Sequence, residues 1–136
     1  MLQTREMFDS VAARADHLDN HLVATTADAL AACEVAVTAC AAGMLAEKEA
    51  DELRDAINRD LDCADVTAAT RRVLTRGADA EHSLLTAQLE ACAIACERSN
   101  AQCSQHGVHH EHCRLCAQAT KHAADACRRA LTGLRA

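Results

Sequence analysis

Proline is absent from all 136 residues, and glycine occurs only at positions 43, 77, 107 and 133. Turns draw on both residues, so a chain this short of them is poorly suited to a loop-rich or all-β fold. Glycine is favoured just past the end of a helix. The spacing therefore predicts four long helices near 12–42, 48–76, 79–106 and 109–132, each closed by a glycine. Residues 1–11 read as a short helix or an arm. Links of about 2–6 residues force sequential helices to lie antiparallel. The predicted fold is all-α: an antiparallel up-down-up-down four-helix bundle with a short N-terminal arm or helix, one domain over residues 1–136.

The core of such a bundle must be narrow. Half of the residues are apolar, yet Phe8 is the only aromatic one. The formal charge of -6 argues against nucleic acid as a partner, because phosphate binding needs a basic face. No run of consecutive apolar residues reaches the length of a membrane span, so none is expected. The first residues, MLQTREMFDSVAARAD, lack an apolar signal region and a twin-arginine pair. A cytoplasmic location is expected, with the thiols of the nine cysteines reduced.

The cysteines are not scattered. At about 100° per residue, Cys33 and Cys40 share a stripe with Thr26, Val37 and Met44 on the first helix. On the second, Cys63 lines up with Ala56, Thr67, Thr70 and Leu74, with Asp60 at its edge. On the third, Cys92, Cys96 and Cys103 align with Leu85, Ser99 and His106. On the fourth, Cys113, Cys116 and Cys127 align with His109, Thr120 and Ala123. Every cysteine thus lies on the stripe that a bundle turns inward. Alanine or valine would pack there equally well and would not oxidise, which favours metal binding over packing.

We take the end where the first helix stops and the fourth begins as the mouth. A rise of about 1.5 Å per residue then places Cys40, Cys103 and Cys113 roughly 5 Å inside and Cys116 roughly 10 Å inside. Cys33 and Cys96 follow at roughly 15 Å, then Cys63, Cys92 and Cys127 at roughly 20–27 Å. Within a helix, Cys92 with Cys96 and Cys113 with Cys116 are close enough in sequence to hold one ion each. Soft thiolates select Cu(I), zinc or iron–sulfur clusters. Zinc prefers closed sets of four ligands and iron–sulfur clusters prefer loop-borne cysteines. A helical column of thiols better suits Cu(I), which tolerates low coordination and bridging sulfur.

Around the mouth, His106, His109, His110 and His112 cluster with Met44. His109 and Met44 are the leading candidates for admitting the metal, followed by His106 and His112, with His110 fitting least. Asp60 is a candidate carboxylate ligand or a polar residue at the rim. His17, His21, His82 and His122 are expected at the surface or at caps.

The segments ACAIACERSNAQC and HEHCRLCAQATKHAADAC resemble the cysteine-rich four-helix-bundle copper storage proteins, as do LDCADVTAAT and ACAAGMLAE. The resemblance covers most of residues 26–130. It implies Cu(I) ions held by cysteines inside the bundle and, for the cytosolic branch, a homotetramer. This chain departs from the pattern at Val37, Met44, Thr67, Ser99, Thr120 and Ala123, where the family commonly carries cysteine. About half of the usual thiols are absent, so reduced capacity is expected.

An enzymatic role is not expected. Ferritin-type bundles carry Glu-x-x-His on two helices, and this sequence has no such motif. The alternative is a structural or interaction bundle with one zinc site near the turn between the third and fourth helices, built from His109, His112, Cys113 and Cys116.

Overall fold

The computed structural model describes residues 2–10, 19–76 and 81–135. Its elements are α1 (Leu2–Ser10), α2 (Asn20–Leu45), a 3₁₀ turn (Ala50–Leu53), α3 (Arg54–Thr75), α4 (His82–His106) and α5 (Glu111–Arg135). Helices α2 to α5 form the predicted four-helix bundle. Each packs on its neighbour in sequence, and α5 closes the ring against α2. No strand occurs among the described residues. The N-terminal arm is a helix: Phe8 is buried, and Thr4 Oγ1 donates to Asp28 Oδ1 of α2 at 2.9 Å.

Helix ends differ from those read off the glycines. Gly43 lies inside α2, which continues to Leu45 and is capped by Ala46. Gly133 lies inside α5, and Gly107 caps α4 with ordinary right-handed angles, φ -63° and ψ -19°. Gly77 lies outside the described residues. Two of these glycines instead serve close approach. A Cβ at Gly43 would meet the His112 ring at 3.1–3.3 Å, and one at Gly107 would meet the Arg114 backbone at 3.2 Å. The helix starts are set by carboxylates. Asp19 accepts the Leu22 N–H at 2.8 Å, and Glu81 accepts the Leu84 N–H at 3.0 Å, satisfying amides that have no partner within the helix. The third long helix therefore starts after Glu81, and Asp79 lies outside the described residues.

The second predicted helix begins later than expected. Residues 46–53 form a turn and the 3₁₀ segment, so α3 starts at Arg54 instead of near 48. This shift brings Cys63 nearer the mouth by about 9 Å.

Thiols fill the interior from the mouth to beyond its middle. Past them, Leu30, Leu74, Leu89 and Leu131 are at most 1 % exposed and plug the far end. By length and composition α2 is apolar enough to cross a membrane. In the bundle its Cys33, Val37, Cys40 and Met44 face the core and are buried.

Candidate metal centre

All nine cysteines are buried and none forms a disulfide. They fall into two groups. The deeper one is built on a triangle drawn from three helices. Cys33 Sγ of α2 lies 3.8 Å from Cys63 Sγ of α3 and 4.0 Å from Cys96 Sγ of α4, and the last two are 3.7 Å apart. An ion at the centre of so nearly equilateral a triangle would lie about 2.2 Å from each sulfur, close to a metal–thiolate bond of about 2.3 Å. The residues present therefore fit a soft three-coordinate ion without rearrangement. Thr67 Oγ1 borders this group, 3.6 Å from Cys63 Sγ and 3.8 Å from Cys92 Sγ. Cys127 adjoins Cys92 and shares its proton equilibrium.

The group nearer the mouth surrounds a carboxylate. Cys103 Sγ and Cys116 Sγ are 3.3 Å apart, and they lie 3.3 Å and 3.5 Å from Asp60 Oδ1. Ser99 Oγ donates to the same oxygen at 2.7 Å. Cys40 completes a set in which one ligand atom each from Cys40, Asp60, Cys103 and Cys116 lie within 4.8 Å of one another. Cys40 Sγ also meets Cys113 Sγ at 3.7 Å, and His112 Nδ1 lies 3.5 Å from both.

Burial and sulfur contacts set the protonation states. Burial first, then the Cys103 sulfur, push the Asp60 carboxyl up to about 7. Burial raises the Cys113 thiol to about 11. In the triangle, hydrogen bonding with the Cys33 and Cys96 sulfurs holds Cys63 below the usual thiol range, while Cys33 and Cys96 rise. Hydrogen bonding with Cys127 lowers Cys92, and hydrogen bonding with Cys116 lowers Cys103. The thiolate is the form that binds metal, so loading either group releases protons from it.

Cys63 joins Cys33 and Cys96 and does not lie in the deeper layer expected for it, because α3 starts late. The closest thiol contacts cross between helices. Cys113 Sγ meets Cys40 of α2 and Cys116 Sγ meets Cys103 of α4, and both α5 sulfurs adjoin Cys40. Of the four ligands of the zinc alternative, His109 is exposed in the turn before α5, away from the sulfur stripe it was expected to join. Met44 is fully buried and does not line the rim, His106 is half-buried outside the ligand groups, and Asp60 lies in the core with no exposure. His21, His82 and His122 are exposed as expected, and His17 lies outside the described residues.

Sequence reasoning ranked His110 last and did not consider Glu47 or Glu49. His110 Nδ1 lies 3.3 Å from Glu47 Oε1, and its Nε2 lies 3.0 Å from Glu49 Oε1. His112 Nε2 approaches Glu47 Oε1 at 3.2 Å. A helical wheel could not show this, because His110 precedes α5 and both glutamates lie in the turn before α3. The available signal was two glutamates in one link and several histidines in the other, at the same end of the bundle.

The sequence model of the copper storage protein family matches residues 19–132. A cysteine-rich protein of Bacillus subtilis, YhjQ, is 29% identical over 101 residues, covering 74% of this chain and 84% of its own. The structure of the Streptomyces lividans copper storage protein Ccsp, loaded with 10 copper equivalents, superposes with a TM-score of 0.93 at 34% identity, covering 96% of this chain and 99% of Ccsp. A second structure of the S. lividans protein, described as a cytosolic copper storage protein carrying five coppers, matches with a TM-score of 0.81 at 37% identity, over 82% of this chain and 93% of that one. A match across nearly the whole bundle, coinciding with two buried groups of thiols able to hold soft metal, makes the chain a member of the copper storage protein family.

Proposed function

We propose that the chain stores or buffers copper as Cu(I), its cargo, on the thiolates of Cys33, Cys40, Cys63, Cys92, Cys96, Cys103, Cys113, Cys116 and Cys127. The observation that carries this reading is the Cys33–Cys63–Cys96 triangle, whose dimensions suit a three-coordinate thiolate ion. Asp60 and His112 supplement the group near the mouth, where Asp60 Oδ1 contacts the Cys103 and Cys116 sulfurs, and protons leave the thiols as metal binds. His112, partly exposed beside Cys40 and Cys113, is the residue placed to hand copper inward. The chain performs no catalysis in this reading.

Capacity is reduced because Val37, Thr67, Ser99, Thr120 and Ala123 fill buried positions without offering a thiol. With one ion per thiol as an upper bound, nine cysteines hold on the order of nine ions. A reducing cytosol would keep nine unpaired thiols available, and the related S. lividans protein is described as cytosolic. A homotetramer accords with apolar side chains on the outer faces, among them Val35, Leu61 and Ile94.

The test is titration of the reduced chain with Cu(I) against a competing chelator, with mass measured by sedimentation. Several tight ions per chain are expected on a tetramer. Fewer than two tight ions would refute storage.

A further inference from the structure

We infer that the mouth carries a second metal site of different chemistry, formed by Glu47, His110 and His112 and suited to a divalent cation of the zinc, nickel or cobalt class. One ligand atom from each of these residues lies within 4.8 Å of the others. Two imidazoles and a carboxylate form a borderline-to-hard donor set, unlike the all-sulfur triangle below, and the class of ion they select differs accordingly. Three protein ligands in a partly exposed position leave room for water, the pattern of an open site.

The surroundings are built for this role. Glu49 Oε1 lies 3.0 Å from His110 Nε2. A hydrogen bond there places the proton on Nε2 and leaves the Nδ1 lone pair facing Glu47, the carboxylate–histidine–metal arrangement that fixes a ligating ring. His110 and His112 are stacked, with ring centroids 5.4 Å apart and planes at 21°. The absence of a side chain at Gly43 makes room for the His112 ring.

His112 links this site to the copper store. Its Nε2 faces Glu47, and its Nδ1 faces the sulfurs of Cys40 and Cys113 at 3.5 Å. A neutral imidazole has one lone pair and one N–H. If Nε2 binds the outer cation, Nδ1–H donates to a thiolate. If Nδ1 binds Cu(I), Nε2–H points at Glu47 and the outer site loses a ligand. The two uses of the ring exclude each other, so an outer cation and His112-bound copper compete. This competition rests on the Cu(I) storage reading, whereas the outer site itself does not.

The experiment uses Co²⁺ as a spectroscopic probe on the full-length reduced chain. We expect one Co²⁺ per chain with visible bands of nitrogen and oxygen coordination and no sulfur-to-cobalt charge transfer. Copper loading should weaken this binding about tenfold or more. E47Q, and independently E49Q, should also weaken it about tenfold or more while leaving the number of Cu(I) ions per chain unchanged. Binding weaker than about 1 mM, a spectrum of thiolate bands alone, or undiminished affinity in both variants would overturn the outer site. Equal Co²⁺ affinity with and without copper would overturn the competition. A chain that took up Co²⁺ in this way but no Cu(I) would support the outer site and overturn both storage and competition.

Discussion

Ser99 Oγ donates to Asp60 Oδ1 across the α3–α4 interface at 2.7 Å, yet the other carboxylate oxygen is buried without a hydrogen-bond partner. A carboxylate half-satisfied in this way is costly to ionise. Folding raises the Asp60 pKa from its ordinary value to about 7, so the fold favours the protonated form. Its contribution to stability is full below about pH 4, declines between about 4 and 7, and is gone above that window, for a total of up to about 4 kcal/mol. We expect D60N to remove this dependence. Urea unfolding of the copper-free protein at pH 4.5 and 7.5 should show the stability difference between variant and wild type moving in favour of D60N at the higher pH.

Removing one corner of the sulfur triangle should be felt mainly in metal binding. C63A deletes the sulfur that Cys33 and Cys96 both approach. We expect the loss of at least one tightly held ion in a chelator competition. The small void should cost about 1 kcal/mol in the copper-free protein, measurable as a modest fall in thermal midpoint.

G43A sets two effects against each other. Replacing this glycine in the last turn of α2 with alanine favours the helix by at most about 1 kcal/mol. The added Cβ meets the His112 ring at 3.1–3.3 Å, and that ring is the end of a side chain with room to shift toward solvent. Global stability should stay level or rise slightly, while the imidazole moves away from Cys40 and Cys113. Stopped-flow uptake of the first copper equivalent should slow several-fold, with the final number of ions unchanged.

T67C should enlarge the store. The Thr67 hydroxyl lies 3.6 Å, 3.8 Å and 4.0 Å from the sulfurs of Cys63, Cys92 and Cys96. A thiol of similar size in that position would join sulfurs that now meet a hydroxyl. We expect about one further Cu(I) per chain, read by metal analysis after desalting, with little change in folding.

The bundle was legible because periodicity survives errors in helix ends. The stripes containing Cys33, Cys40, Cys92, Cys96 and Cys103 depend on spacing within a helix, which no boundary shift alters. Depth is less robust. Cys63 was misplaced because its height depends on where α3 begins, and residues 46–53 offered no proline or glycine to mark a turn. His109 failed for a related reason: a wheel drawn from residue 109 assigns it a face, but the helix starts at Glu111 and the ring lies in solvent. Glu47, Glu49 and His110 sit in connections, where no period applies, so only tertiary structure could bring them together.

The leucines at the far end give the interior the geometry of a blind shaft. Among the described residues, Leu30, Leu74, Leu89 and Leu131 close the end beyond Cys127, so cargo bound at the deep triangle would leave past the sulfurs above it. On that geometry, the order of withdrawal should follow position along the axis more than bond strength. On the proposed storage reading, the shallow thiols around Asp60 would exchange first and the deep ones last.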